Sequence, residues 1–249
     1  MYRSEDKAIL THLKHPAQIS EMAPINPAAD FYNNLGIRYE EGFGHDEGLI
    51  AFVTDSLKLL PTNPDARVLD IGSGTGIPTS SLVVQSGRKL HGIDFSPVMI
   101  ELSTRQVPGG TFELTNMLEF SPGSSFQGAF AIFSLFHFSR EEMDIAAGKI
   151  SQWIAPGGYL FIGTMVAEDF PTKPHMFDED GECARGIEHT FMGKRIGNLL
   201  YTREGWVNLL RKVGFEVVKT EMVPFQAPPE AECDIEPHYY ITARKTSAQ

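Results

Sequence analysis

A glycine-rich run early in the chain has the residue types of a ligand-binding turn. An apolar stretch containing Asp70 is followed directly by the letters GSGTG, which place glycines at positions 72, 74 and 76. Glycine lets a ligand approach the backbone closely, and a helix that begins after such a turn directs free N–H groups at the ligand. A dinucleotide fingerprint needs the spacing G-x-G-x-x-G, but here the third glycine comes one residue early and Ile77 takes its place. A phosphate-binding P-loop is excluded because the run lacks Gly-Lys-Ser/Thr.

Two carboxylates flank this turn along the sequence. Asp70 lies two residues before Gly72, and Asp94 ends a second apolar stretch within the letters HGIDFS. A carboxylate at the end of the second strand can accept hydrogen bonds from both hydroxyl groups of a ribose. The alternative role for Asp94 is to cap the helix expected to begin at Pro97. Its strand-end position and its spacing from the glycine turn favour the ribose role.

The histidines provide candidates for proton transfer. His137 stands just past the most apolar predicted strand, where sites form in open α/β sheets, and histidine titrates near neutral pH. It is the best candidate for a general base, and the alternative is a buried histidine that hydrogen-bonds within its loop. His189 and His175 are weaker candidates, and His12 and His15 become candidates if the N-terminal arm folds over the site. No metal site is expected, because no pair of potential ligands has zinc-binding spacing.

These residues need a scaffold, and the hydrophobic pattern predicts alternating strands and helices. Helices are expected at residues 46–60, after the glycine turn to about 86, from Ser96, from Ser139, and from Thr202 to Gly214. Strands are expected at residues 67–71, 89–93, 111–114, 129–135 and 159–165. This alternation predicts a parallel, doubly wound sheet. The last two strands, residues 215–223 and 238–244, have no helix between them and are most simply antiparallel.

Composition limits the partners of this protein. The chain has 249 residues, of which 42% are hydrophobic, and a formal net charge of −11, so a globular domain is expected. The excess of acids argues against nucleic acid as the main partner and disfavours an anionic substrate. Two cysteines suggest a reducing compartment, and the sequence shows neither a signal core nor a bilayer-spanning apolar stretch. We therefore expect a soluble, cytoplasmic protein without a membrane partner, of unknown oligomeric state.

Four segments taken together resemble one enzyme family. They are the pattern D-x-G-x-G-x-G after the first strand, the acid ending the second, FELTNMLEF at the third and APGGYLFIG at the fifth. Over about residues 31–244 the chain is similar to class I S-adenosylmethionine-dependent methyltransferases of the small-molecule, secondary-metabolite type. The resemblance implies a Rossmann-like α/β fold with a mostly parallel seven-stranded sheet of order 3-2-1-4-5-7-6, whose last strand is antiparallel. It also implies a helical N-terminal arm at residues 1–45 and a methyltransferase domain at 46–249, with a lid insert at about 166–201.

The resemblance implies a role for each residue that matches the family's cofactor site. The glycine turn would meet S-adenosylmethionine through its backbone, and Asp94 would bind the ribose. Asn116 stands where the family usually has an aspartate facing the adenine amino group, and an amide oxygen can still accept that hydrogen bond. Tyr39 would reach the methionine carboxylate, while a packing role is equally open. The implied cofactor-binding residues are Tyr39, Asp70, Gly72, Ser73, Gly74, Asp94, Phe95, Met99, Asn116, Met117, Leu118 and Ser134.

The resemblance is less specific for the acceptor of the methyl group. The exit of the fourth strand lacks the Asn/Asp-Pro-Pro-aromatic box of enzymes that methylate adenine or glutamine amino groups, which counts against nucleic acid. The lid would place Met165, His189 and Phe191 against the acceptor as an adaptable, mainly apolar wall. The expected reaction is methyl transfer to O or N of a medium-sized apolar organic molecule. The alternatives are a cofactor-binding protein that catalyses a non-methylating reaction such as cyclisation, and an inert binding partner.

Overall fold

The strands form one large sheet and one separate hairpin. In chain order they are β1 Arg67–Ile71, β2 Lys89–Asp94, β3 Thr111–Leu114, β4 Phe126–Ile132, β5 Ile154–Thr164, β6 Cys183–Phe191, β7 Lys194–Tyr201, β8 Phe215–Phe225 and β9 Glu236–Lys245. The computed structural model describes residues 27–247. Within this range the large sheet has seven strands in the order β3-β2-β1-β4-β5-β9-β8, and β6 pairs with β7 in the hairpin.

The directions of the strands confirm the predicted fold class. Strands β1 to β5 run parallel to one another, and β9 is antiparallel to both of its neighbours, β5 and β8. The predicted order 3-2-1-4-5-7-6 is therefore the observed one. The closing pair carries the numbers 8 and 9 because the two hairpin strands precede it in the chain.

Local sequence signals set where the helices begin. Ser96 Oγ accepts a hydrogen bond from Met99 N, and Thr202 Oγ1 accepts one from Gly205 N. Before the helix Arg140–Trp153, Ser139 and Glu142 form a reciprocal capping box. These three predicted starts are confirmed. The helices are α1 Pro27–Leu35, α2 Arg38–Phe43, α3 Glu47–Leu57, α4 Thr79–Gln85, α5 Pro97–Gln106, α6 Arg140–Trp153 and α7 Arg203–Lys212.

Apolar layers cover both faces of the large sheet. Successive residues of β5 alternate between them: Leu160 packs with α6 and α7, whereas Phe161 packs with α3. On the α3 side, Phe52 stacks on Tyr240 with ring centroids 4.6 Å apart. Strands buried on both faces read as continuous apolar runs, which is the pattern seen in the sequence. This packing holds the carboxyl ends of β1, β2 and β4 at one edge of the sheet.

The insert after β5 is more regular than its sequence indicates. Residues 166–201 show little hydrophobic period, yet they contain the antiparallel hairpin β6–β7. Its two-residue turn, Met192 and Gly193, has positive φ at both positions (51° and 75°), which matches the right-handed twist of the flanking strands. The period is hidden because the pairing register shifts between Ala184 and Ile187.

Several predicted boundaries are wrong. The predicted helix 46–60 ends at Leu57. The fourth strand begins at Phe126 and ends at Ile132 rather than spanning 129–135, because Phe133 turns into a left-handed conformation with φ 51°. The fifth begins at Ile154 rather than at residue 159, next to an irregularity in its pairing with β4. Much of the predicted arm at residues 1–45 lies outside the described residues. Its division from a domain at 46–249 stays a prediction.

The capping box of α6 gives a stability prediction. Ser139→Ala removes the side-chain acceptor of Glu142 N, so the free energy of unfolding should fall by about 1 kcal/mol. Urea denaturation followed by circular dichroism measures this change. Ser125→Ala in an exposed loop is the matched control and should leave the midpoint unchanged. An unchanged midpoint for the Ser139 variant would show that the cap contributes nothing.

Candidate functional site

The glycine turn lies at the carboxyl end of β1 in a conformation that requires glycine. Gly72, Gly74 and Gly76 have φ values of 71°, 53° and 86°, a region that other residues rarely enter. A Cβ atom on Gly72 would lie 2.3 Å from the Cβ atom of Ser134, just past the end of β4. The backbone of the turn therefore passes directly against the exit of β4, and no side chain fits between them.

Asp94 fastens the glycine turn to the start of α5. Its Oδ2 accepts a hydrogen bond from Gly74 N at 2.9 Å, and its Oδ1 accepts one from Ser96 N at 2.8 Å. Burial raises the pKa of this carboxyl group, while its backbone donors oppose that shift. The N-cap residue of α5 is Ser96, and Asp94 supports this helix start by accepting from Ser96 N, so the ribose role stays a prediction. The carboxylate keeps lone pairs for a ligand.

Asp70 lies buried beneath the turn. Ser80 Oγ of α4 donates a hydrogen bond to its Oδ2 at 2.6 Å. Burial raises the pKa of Asp70 to about 7, the charge of Asp94 adds to this, and the Ser80 hydrogen bond opposes it. Asp70 therefore links β1 to α4 below the turn and titrates near neutral pH.

A cavity lies over the glycine turn, with about 910 Å³ of space that includes its opening to solvent. Ser73 Oγ and Ser134 Oγ are buried there without a hydrogen-bond partner among the described residues. Buried hydroxyl groups are normally satisfied, so these two indicate a polar ligand. The cavity, called the first cavity below, brings together ten of the residues implied for the cofactor: Tyr39, Asp70, Gly72, Ser73, Gly74, Asp94, Phe95, Met99, Met117 and Ser134.

Two residues implied for the cofactor do not line the first cavity. Asn116 and Leu118 line a larger depression of about 1620 Å³, which shares Met117 and Ser134 with the first cavity. Asn116 Oδ1 accepts a hydrogen bond from Leu118 N at 2.9 Å, so this oxygen is engaged within its own turn. The contact of Asn116 with adenine therefore stays a prediction.

Aromatic side chains from α1 and α2 cover the first cavity. Tyr39 stacks on Phe43 with centroids 5.3 Å apart, and Tyr32 packs edge-on against Tyr39 and Phe95 at 6.1 Å each. Burial raises the pKa of both tyrosines above the ordinary value, and the charge of Asp94 adds to the effect on Tyr32. Both hydroxyl groups thus stay protonated. In the sequence, only the density of aromatic residues before β1 indicated that Tyr32 and Phe43 could belong to the site.

His137 lies where the cover meets the exit of β4. Its Nε2 is 3.2 Å from the hydroxyl oxygen of Tyr32, so its hydrogen bond reaches α1 rather than its own loop. His137 is partly exposed to solvent, and the burial of the rest of its ring lowers its pKa, so the imidazole is neutral at pH 7 and able to accept a proton. Of the weaker candidates, His175 is exposed and His12 and His15 lie outside the described residues.

A second cavity of about 400 Å³ adjoins the first. The two cavities share four side chains as a common wall: Tyr39, Phe43, Phe133 and His137. Hairpin β6–β7 supplies His189, Phe191, Ile196 and Asn198 to the second cavity, and Met165, Phe136 and Glu236 complete its lining. The structure thus brings together the three residues expected to contact the acceptor, Met165, His189 and Phe191. Burial lowers the pKa of His189.

Phe133, one of the residues of the common wall, has an unusual backbone conformation. It has φ 51°, and non-glycine residues in this region tend to occur where the surrounding structure enforces them, often at functional sites. Phe133 N donates to Gly163 O at 2.8 Å, and the ring packs 4.2 Å from that of His238. The hydrogen bond and the ring contact direct the aromatic side chain between the two cavities.

A buried cluster of ionisable groups supports this wall from behind. His238 Nδ1 lies 2.9 Å from Asp46 Oδ2, and His238 Nε2 lies 3.0 Å from Glu236 Oε2. The hydroxyl group of Tyr240 donates to Asp46 Oδ2 at 3.2 Å. Burial alone would raise the pKa of Asp46, but the hydrogen bond and charge of His238 outweigh it and lower that pKa. Sequence reasoning missed this cluster, because its members are far apart in the chain.

The lining of the two cavities is acidic and aromatic. Among the described residues that line them there is no lysine or arginine. Within residues 27–247, no group of three or more His, Cys, Asp or Glu side chains is placed to hold a metal ion. None of the helices in the described part of the chain is long and apolar enough to cross a membrane.

Comparison with known proteins identifies the family. The sequence model described as "Methyltransferase domain" matches residues 45–220. The chain therefore belongs to this family, and it is an S-adenosylmethionine-dependent methyltransferase. Its cofactor is S-adenosylmethionine.

Relatives and solved structures agree with this assignment. An uncharacterized methyltransferase of Bacillus cytotoxicus is 26% identical over 198 residues, which cover 78% of this chain and 87% of the relative. An O-methyltransferase of Penicillium expansum is 29% identical over 159 residues, or 61% of this chain and 52% of the relative. The structure of magnesium protoporphyrin IX methyltransferase from Synechocystis with bound S-adenosylhomocysteine is 15% identical, with a TM-score of 0.62 and coverage of 88% and 98%. At this identity the structural likeness shows the fold.

The buried cluster predicts a pH dependence of stability. Burial alone would lower the pKa of His238, but the hydrogen bonds and charges of Asp46 and Glu236 outweigh it and raise that pKa above its ordinary value of 6.5. A raised folded-state pKa stabilises the protein below the unfolded pKa, and this stability is lost as pH rises through the folded value. We therefore expect the free energy of unfolding to fall as the pH rises above about 6.5, more steeply in the wild type than in His238→Gln.

Urea denaturation at several pH values measures these slopes. Histidines with lowered pKa values, such as His137 and His189, are common to both proteins and cancel in the difference. His175→Gln, at an exposed position, is the control and should keep the wild-type slope. Equal slopes for the wild type and His238→Gln would mean that His238 carries no charge in the folded protein.

Proposed function

We propose that this methyltransferase transfers a methyl group to an oxygen or nitrogen atom of a medium-sized, largely apolar organic molecule. The observation that carries this proposal is the pair of adjoining cavities, with Tyr39, Phe43, Phe133 and His137 as their common wall. The first cavity would hold the cofactor and the second the acceptor, so that the reacting groups meet at this wall. A cytoplasmic location and a role in secondary metabolism remain expectations from the sequence.

The residues of the first cavity suit the groups of S-adenosylmethionine. The unpartnered hydroxyl groups of Ser73 and Ser134 would hydrogen-bond polar atoms of the bound molecule. Asp94 would accept from the ribose hydroxyl groups, and Phe95 and Met99 would pack on the adenine. Tyr39, with its protonated hydroxyl group, would donate to the methionine carboxylate. When bound, the cofactor supplies an activated methyl group on a sulfonium.

The protein contributes to the reaction in two ways: it positions the two reactants, and it removes a proton from the acceptor. Alignment of two bound reactants can supply a large part of the barrier reduction, and the aromatic cover of Tyr32, Tyr39 and Phe43 would exclude water from them. A hydroxyl acceptor must lose a proton when it is methylated, and a protonated amine must lose one before its nitrogen can attack the methyl group. We assign this proton to His137, whose neutral imidazole stands in the common wall. Tyr32 would orient the ring by accepting a hydrogen bond from Nε2–H, which leaves the Nδ1 lone pair free to take the proton.

The lining of the second cavity supports an apolar acceptor. Most of its side chains are aromatic or aliphatic, namely Tyr39, Phe43, Phe133, Phe136, Met165, Phe191 and Ile196. The Met165 side chain adapts easily to different ligand shapes. These features are poorly suited to a polynucleotide or a highly charged metabolite.

The direct test of this function is isotopic. The purified protein is incubated with extract metabolites and methyl-labelled S-adenosylmethionine, and mass spectrometry identifies the compound that gains the label. Formation of S-adenosylhomocysteine in equal amount to the product supports methyl transfer. Conversion of a metabolite without S-adenosylhomocysteine formation would instead support a non-methylating reaction such as cyclisation.

Substitution of Asp94 tests the cofactor site. Asp94→Ala removes the acceptor of Gly74 N and the ribose acceptor together, so affinity for S-adenosylhomocysteine should fall by about tenfold or more in calorimetry. Glu101→Ala, on an exposed position of α5, is the control and should bind normally. Unchanged affinity in the Asp94 variant would refute the ribose role.

Substitution of His137 tests the proton acceptor. With the labelled acceptor in hand, His137→Gln should lower kcat by about 10²- to 10⁴-fold, because glutamine cannot take up the proton. Affinity for S-adenosylhomocysteine should change far less. Tyr32→Phe keeps the histidine and removes only its hydrogen-bond partner, so its kcat should fall less than that of the histidine variant. Wild-type turnover in His137→Gln would remove this residue as the base.

A further inference from the structure

Glu236 brings a buried carboxylate to the second cavity. It is the first residue of β9, it lines this cavity, and its side chain is only 6% exposed. One carboxylate oxygen, Oε2, accepts from His238 Nε2 at 3.0 Å. The other, Oε1, is buried and has no hydrogen-bond partner among residues 27–247. An unsatisfied carboxylate oxygen in a mainly apolar lining is costly unless a ligand supplies a donor.

The groups around Glu236 do not supply enough positive charge to neutralise its carboxylate. His238 is fully buried and directs one ring nitrogen at Asp46 and the other at Glu236. One imidazolium therefore faces two carboxylates and can neutralise the charge of only one. Tyr240 adds a hydroxyl donor to the Asp46 side and none to the Glu236 side. An uncompensated negative charge thus remains beside the second cavity.

The charge of Glu236 acts on the lining of the cavities. It adds to burial in raising the pKa of Tyr39, and at His189 it opposes the lowering caused by burial. These residues come from α2 and β6 respectively, so the charge acts on side chains of two different elements. Neither is a cation that could pair with Glu236, and no lysine or arginine lines the cavity within the described residues.

The aromatic lining also favours a cation. Phe133 and Phe136 lie in the second cavity with ring planes 15° apart, and Phe191 packs against Phe43 at 5.3 Å between centroids. The faces of such rings attract ammonium groups, more strongly when water is excluded. A carboxylate together with aromatic faces is the chemistry that recognises a protonated amine.

We propose that the acceptor carries a basic amine nitrogen and that Glu236 Oε1 is the group that binds it. This inference rests on the proposed function, because it takes the second cavity as the acceptor site. A neutral hydroxyl group could also donate to Oε1, but it would leave the negative charge uncompensated. A carboxylate or phosphate on the acceptor would be repelled. Glu236 is therefore a specificity-determining residue that selects cationic over neutral and anionic molecules of the same shape.

Matched probe series test this selectivity. One series is tryptamine, tryptophol and indoleacetic acid; the other is phenylbutylamine, phenylbutanol and phenylpentanoic acid. Each series keeps the aromatic body and changes the terminal group from cation to neutral to anion. Binding to the protein saturated with S-adenosylhomocysteine is measured by ligand-observed NMR titration at pH 7. We expect each amine to bind about tenfold or more tightly than its alcohol, and the acids to bind most weakly.

Two variants assign the selectivity to one side chain. Glu236→Gln keeps the size of the side chain and an acceptor for His238 but removes the charge, so the amine-to-alcohol ratio should fall close to one. Glu188→Gln removes the same charge from an exposed position of β6, where Glu188 pairs with Arg195, and should keep the wild-type ratio. A ratio between two ligands on one protein is insensitive to a general loss of stability, which affects both ligands equally.

The possible outcomes separate this inference from the proposed function. Amines that bind no better than alcohols, or not at all, to a wild type that binds S-adenosylhomocysteine would overturn the role of Glu236 and leave methyl transfer intact. A preference for amines that persists in Glu236→Gln would overturn it as well. Failure of the wild type to bind S-adenosylhomocysteine would contradict the proposed function itself. The wild-type comparison needs no variant, so it stands even if Glu236→Gln does not fold.

Discussion

The close contact between the glycine turn and the exit of β4 is the constraint on which the site depends. A side chain at Gly72 would collide with Ser134 at 2.3 Å, so the two strand ends approach only because position 72 carries none. Hydrogen bonds from Gly72 N and Ser73 N to Ile93 O tie the same turn to the end of β2. Three strand ends are thus held together, and the first cavity lies over them.

The common wall of the two cavities follows from the same strand end. One residue before Ser134, the backbone of Phe133 is left-handed, which stops β4 and directs the ring between the cavities. Three residues after Ser134, His137 reaches the hydroxyl group of Tyr32 in α1. The exit of β4 therefore supplies both the aromatic partition and the candidate base, while α1 and α2 close the space above them.

Buried carboxylates give the cavities their electrostatic character. Hydrogen-bond donors of the protein reach three of these carboxylates, those of Asp46, Asp70 and Asp94. Glu236 differs because one of its carboxylate oxygens has no donor among the described residues. The net charge of −11 does not reveal this arrangement, because most acids of a globular protein are solvated at the surface. What matters for recognition is that four of them are buried around two aromatic cavities whose described lining has no lysine or arginine.

The sequence alone determined the features that arise from neighbouring residues. Helix caps such as Ser139, the apolar strands and the glycine turn all depend on contacts within a few positions, so the fold class could be predicted. The family resemblance then implied ten of the residues that line the first cavity. The hairpin was missed because its register shift hides the period, and Phe133 because its conformation is imposed by packing. Only the tertiary structure joined Tyr32 to His137, 105 positions apart, and Asp46 to His238, 192 positions apart. It also decided that Glu236 reaches the second cavity, since that position depends on β9 inserting beside β5 and leaves no local pattern in the sequence.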